Sequence, residues 1–177
     1  MDKFLQNLLQ QEERIALRDY FSARVAAGNI PLTSSALCEK KLVDGDRYEA
    51  YDDPQLRPFL ERFTPIVAEV AQRKVKPTYT FFRQYTPNTV LDKHLDRPQC
   101  RYTISVLVDY APIFSQTIGW PLYIETDPVS KVDLGLGDGV MFRGREYRHW
   151  RDPLPEGHTA CIALFHYVPK EFMGSLR

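Results

Sequence analysis

The chain lacks an excess of charge of either sign, a long apolar run, a paired-cysteine motif and any abundance of histidine. Basic and acidic side chains balance at 23 each, which removes the basic surplus that nucleic-acid binding draws on. The one basic cluster, Arg143, Arg145, Arg148 and Arg151, is interrupted by Glu146 and followed by Asp152, and suggests at most an anionic small ligand. No window approaches the roughly 20 apolar residues that span a bilayer. The opening stretch MDKFLQNLLQQEER has neither the basic start nor the uninterrupted apolar core of a secretory signal. Cys38, Cys100 and Cys161 are odd in number, widely spaced and without a CxxC, so neither a disulfide framework nor a zinc ribbon is expected, and free thiols are. These absences point to the cytoplasm, with neither nucleic acid nor membrane as partner. There are no repeats or low-complexity segments, and 177 residues are read as a single domain, 1–177.

The first 75 residues read as mainly helical support. Apolar residues recur at helical spacing from Asp2 to Ala27, with a break near Gln11, and Gly28-Asn29 with Pro31 ends the run. Lys41-Leu42-Val43 and Arg47 to Tyr51 flank Asp44-Gly45-Asp46 as a short hairpin. Asp53-Pro54 reads as the cap and first residue of a second helix, in which Leu56, Phe59, Leu60, Phe63, Ile66, Val67 and Val70 share a face and Pro65 predicts a kink. After Pro77 the character changes. Thr78 to Tyr85, Arg101 to Tyr110, Trp120 to Glu125, Val140 to Arg143 and Thr159 to Val168 are rich in β-branched and aromatic residues and bounded by turn formers. Strands this close, with no helical pattern between them, pair antiparallel in a sandwich or barrel, so the expectation is an α+β fold with helices against one sheet.

The four histidines, at 94, 149, 158 and 166, all lie in the β half. His94-Leu95-Asp96 places an imidazole and a carboxylate two residues apart, and in extended chain both face the same way and can ligate one ion. Two imidazoles and one carboxylate on one face of an octahedral ion leave three positions open, the arrangement with which non-haem Fe(II) binds a co-substrate and dioxygen together. The third ligand has to come from a distant strand.

The text around this motif carries a resemblance. Phe82 to Arg97, reading FRQYTPNTVLDKHLDR, resembles the strand, turn and His-x-Asp of the prolyl-hydroxylase-like branch of the Fe(II)/2-oxoglutarate-dependent oxygenases. Arg101 to Val108 follows where that family has its next core strand, and Leu134 to Gly144, LGLGDGVMFRG, resembles the turn and strand that deliver the distal histidine. Here that residue is His149. The resemblance covers roughly residues 79–167. It implies a double-stranded β-helix, or jelly roll, over 76–170 with the N-terminal helices buttressing one sheet. It implies Fe(II) on His94, Asp96 and His149, with no catalytic side chain beyond those ligands, and 2-oxoglutarate chelating the metal. Dioxygen would then be used to hydroxylate a C–H bond of a peptide or small-molecule substrate, with release of succinate and CO2.

The sequence departs from the family in one place. An arginine or lysine usually follows the distal histidine by nine or ten residues and pairs with the far carboxylate of 2-oxoglutarate, a group that is costly to bury unpaired. Those positions hold His158 and Thr159, and no arginine or lysine follows Asp152 until Lys170. Either a protonated His158 serves, or the cation comes from another strand; Arg83 and Arg101 are then the candidates, with Tyr85 and Thr103 as hydrogen-bond donors. Simpler readings stand beside these: His158 as a turn residue, His166 as a packed strand histidine, Tyr79, Phe81 and Phe82 as core aromatics, and the arginines at 143–151 as a solvated rim. The rival function is a cupin-like jelly roll that has lost turnover and serves as a binding or sensing module. The substrate is not legible; Ser34 to Asp53 and Ala111 to Gly119 are expected, from position alone, to form its lid.

Overall fold

The computed structural model describes residues 2–34, 43–112 and 119–176. Its strands are β1 (Lys3–Leu5), β2 (Leu32–Thr33), β3 (Val43–Asp44), β4 (Arg47–Tyr51), β5 (Val75–Tyr85), β6 (Val90–His94), β7 (Tyr102–Ala111), β8 (Leu122–Ile124), β9 (Ser130–Val132), β10 (Gly139–Phe142), β11 (His149–Arg151) and β12 (Thr159–Pro169). Its helices are α1 (Gln11–Ala26) and α2 (Arg57–Ala71). A seven-stranded sheet runs β1-β10-β7-β12-β5-β4-β2 and faces a five-stranded sheet, β3-β6-β11-β8-β9; among the described residues the strands pair antiparallel. This is the antiparallel sandwich expected from the strand pattern and the jelly roll that the resemblance implies.

Alternation along the long strands divides the large sheet into two faces. On β12, Cys161, Ala163, Phe165 and Tyr167 join Ile104, Val106 and Val108 of β7 and Phe82 of β5 against the helices, where they meet Leu17, Phe21, Leu60, Phe63 and Val67. The residues between them look the other way. Leu107, Ile162, Tyr85 and Ala160 pack against Ile124, Leu122 and Trp120 of the small sheet and its entry. One sheet thus serves two cores, and the helices cover the outer face of one sheet as expected. The second core is incomplete at one end, where Thr103, Ser105 and His166 face inward instead of apolar side chains, and there the pocket begins.

Three local expectations are corrected. Residues 3–5 form strand β1 on the edge of the large sheet, and the helix starts only at Gln11. The cause is the LGLGDG turn: the Asp138 carboxylate accepts from the Asn7 N–H at 2.8 Å and from the Gly135 N–H at 3.0 Å, while Leu9 N–H donates to the Gly137 carbonyl at 3.0 Å. A side chain at Gly137, whose φ is +87°, would meet the Leu9 carbonyl at 2.5 Å. Those glycines therefore dock the N-terminal segment. The hairpin around Asp44-Gly45-Asp46 does not form either, because β3 pairs with β6 of the small sheet while β4 pairs with β5 and β2 of the large one. The chain crosses between sheets at Gly45, pressed against Thr89. Lys41 and Leu42 lie outside the described residues, as do 35–42 and 113–118 of the two expected lid stretches. Finally, the pattern did not single out β6 and β11 as strands, although they carry both histidines of the candidate site. Among the described residues no helix is long and apolar enough to cross a membrane.

Candidate metal centre and its pocket

The small sheet brings His94 and His149 together. β11 lies between β6 and β8, and its register sets His149 directly opposite His94, with ring centroids 4.2 Å apart. Asp96 follows β6 by two residues, and its position is fixed by its backbone: its N–H donates to the Gly144 carbonyl at 2.8 Å, and its carbonyl accepts from Arg145 at 3.3 Å. Gly144 is required here, since a Cβ on it would stand 2.0 Å from Asp96 Oδ2. Asp96 Oδ1 lies 3.6 Å from His94 Nε2 and 3.5 Å from His149 Nε2.

Hydrogen bonding fixes which atoms face the centre. His94 Nδ1 meets the Asp92 carbonyl at 2.6 Å and His149 Nδ1 meets the Tyr147 carbonyl at 3.2 Å. A carbonyl only accepts, so both Nδ1 atoms carry hydrogen, and each ring turns its Nε2, the atom left to ligate, toward Asp96. Two imidazole nitrogens and one carboxylate oxygen thus converge on one point, where each could ligate the same cation. Thr103 donates to Asp96 Oδ2 at 2.9 Å and steadies the carboxylate from the large sheet. Burial raises the Asp96 carboxyl's pKa, but the adjoining His149 and His94 outweigh it and hold the group well below the usual carboxylate range. The three residues therefore fit a divalent ion through two nitrogens and one oxygen, and the nitrogen donors together with the carboxylate suit iron better than calcium or magnesium.

These residues open onto a cavity of ≈ 270 Å³ between the sheets. Of the residues read as co-substrate contacts, Tyr85, Arg83 and Thr103 line it, while His158 and Arg101 do not. His158 lies against the Tyr110 ring at 5.2 Å, and Arg101 pairs with Glu146 at 2.6 Å. Arg83 is engaged by Glu49 at 3.0 Å. His166 is packed in β12 as read; burial lowers its pKa to about 4, and its Nδ1 lies 3.1 Å from Thr103 Oγ1.

The arginine cluster at 143–151 is not one rim. Arg143 pairs with Glu146, Arg145 holds the Asp96 backbone, and Arg151 points inward. Arg151 is 5% exposed. It donates to the Trp120 carbonyl at 2.5 Å and lies over the Trp120 ring, and no carboxylate of the described residues pairs with it. Burial lowers its pKa to about 10, which leaves it cationic at neutral pH. Arg151 was not among the residues that the sequence singled out as pocket contacts. The signal was present: on a strand, residues 149 and 151 share a face, so the side chain two beyond the candidate histidine enters the same pocket.

No protein-family model and no curated protein matches this chain. Solved structures do. A prolyl-4-hydroxylase from Pseudomonas putida matches with a TM-score of 0.70 and 14% identity over 96% of this chain and 92% of its own. SnoN, a non-haem α-ketoglutarate-dependent epimerase of nogalamycin biosynthesis, matches with a TM-score of 0.73 and 11% identity over 95% and 76%. HygX from Streptomyces hygroscopicus, solved with nickel, 2-oxoglutarate and hygromycin B, gives 0.66 and 12% over 97% and 84%. The fold of this chain is thus the double-stranded β-helix of the Fe(II)/2-oxoglutarate oxygenases.

Proposed function

We propose that the protein is an Fe(II)- and 2-oxoglutarate-dependent oxygenase that holds its metal on His94, Asp96 and His149 and hydroxylates a C–H bond of a peptide or small molecule. The observation that carries this reading is the convergence of two imidazole Nε2 atoms and one carboxylate oxygen on the wall of the pocket between the sheets. When bound, the metal with 2-oxoglutarate and dioxygen supplies the oxidant, and succinate and CO2 are released. The chain itself positions and shields. The Asp92 and Tyr147 carbonyls orient the imidazoles, and Thr103 orients the carboxylate. Arg151 anchors the far carboxylate of 2-oxoglutarate, with Tyr85 and Arg83 beside it. Leu91, Leu122, Phe142 and Ile162 keep water from the same space.

This assignment of Arg151 replaces the missing cation after His149 with one on the histidine's own strand, so the departure from the family pattern does not favour a silent module. The test is conversion. Fe(II)-loaded protein in air should turn 2-oxoglutarate into succinate, slowly alone and faster when a screened metabolite or peptide is the substrate. A protein that binds Fe(II) and 2-oxoglutarate, yet releases no succinate with any of them, would instead be the binding module.

A further inference from the structure

Beyond Asp96 the pocket wall carries side chains that metal binding leaves unused. Tyr79 on β5, Cys100 at the end of a short helical turn and His166 on β12 are all buried. Tyr79 Oη and Cys100 Sγ are 2.8 Å apart. The His166 ring lies against the Tyr79 ring at 4.9 Å, and Arg97 donates to the Tyr79 hydroxyl while its guanidinium stacks on the same ring. The phenol is thus held from two sides, with the thiol hydrogen-bonded to its oxygen. Its oxygen and the sulfur stand about as far apart as they would on adjacent carbons of one ring. Cys100, His166 and Asp96, itself a candidate metal ligand, offer atoms that all lie within 4.8 Å of one another. An oxidisable thiol and phenol in contact therefore sit beside the place where dioxygen would be activated.

We propose that Tyr79 and Cys100 become joined by a thioether bond from Sγ to the ring carbon next to the hydroxyl, made at the protein's own metal centre with dioxygen and 2-oxoglutarate as oxidant. The inference rests on the functional reading above. The S–H bond and one ring C–H bond break and one C–S bond forms, so the pair loses two electrons and two protons. One dioxygen and one 2-oxoglutarate accept them: one oxygen atom goes into succinate during decarboxylation and the other leaves as water. Burial directs the thiol to this fate, because oxidation to sulfenic acid proceeds from an exposed thiolate. The link also removes a soft donor that would otherwise compete for the metal. Cys161, buried on the helix side of the sheet, is an internal control.

The experiment is intact-protein and peptide mass spectrometry under reducing conditions, after Fe(II) and 2-oxoglutarate are added with or without air, and with succinate measured in parallel. Wild type in air should lose two hydrogens and yield a reduction-resistant link between tryptic peptides 75–83 and 94–101. Anaerobic protein, Tyr79→Phe and Cys100→Ser should not. Succinate formation with an unchanged mass, or a gain of oxygen on either peptide in place of the link, overturns the proposal and leaves the oxygenase reading standing. Absence of both succinate and 2-oxoglutarate binding overturns the oxygenase reading, and this proposal with it.

Discussion

His149→Ala should reduce Fe(II) affinity by more than about 100-fold and bring succinate formation to background. Removing only the outer partner of a metal ligand costs about 10- to 100-fold, and here a ligand itself is lost. The effect should be local. His149 lies on a short strand held on both sides by β6 and β8 through its backbone, and an alanine preserves those bonds. Equilibrium dialysis with Fe(II), beside a circular dichroism spectrum unchanged from wild type, separates loss of metal from loss of fold. His94→Ala should behave alike, because the two imidazoles bring their Nε2 atoms to near-equal distances from the same carboxylate oxygen. Normal turnover by both variants would remove the assignment.

Arg151→Leu should weaken 2-oxoglutarate binding by about 30-fold to a few thousand-fold, the range that follows from the ~2–5 kcal/mol lost when one partner of a buried charge pair is truncated. Fe(II) binding should persist, since Arg151 touches Trp120 and not the metal ligands. Stability should move the other way. A buried guanidinium without an anion is costly, and an apolar replacement is often neutral or stabilising, so the melting temperature of the ligand-free variant should be unchanged or raised. Arg83→Gln should weaken binding less, because Glu49 already balances that charge. Calorimetric titration of the Fe(II) protein with 2-oxoglutarate, without air, ranks the three proteins. Equal affinities would show that the far carboxylate is held elsewhere.

The large sheet was readable because its strands are long and their apolar residues alternate over a buried span; β5, β7 and β12 were visible in outline. Of the small sheet only β8 was, within Trp120 to Glu125. His94 and His149 lie on strands of five and three residues, Val90–His94 and His149–Arg151, too short for periodicity to register. They were found through chemistry, the His-x-Asp spacing and the ordered blocks around it, and so the candidate ligands were named while the strands carrying them went unread. The N-terminal misreading has a similar origin. Phe4, Leu5, Leu8 and Leu9 fit helical spacing, but the tertiary docking of Asn7 and Leu9 onto the Gly-rich turn overrides it. Arg151 was hidden by its neighbours, because a run of four arginines and one glutamate reads as solvated surface, and only the alternation of β11 shows that one of them faces inward.

His94, Asp96 and His149 should together hold Fe(II) with coordination positions left for 2-oxoglutarate. Anaerobic titration of the Fe(II) protein with 2-oxoglutarate tests it most directly, by the visible charge-transfer absorption that arises when a 2-oxo acid chelates Fe(II). The band should appear, saturate at one equivalent per chain and be absent in His149→Ala. Metal binding with no such band, or a band of full intensity in His149→Ala, would contradict it.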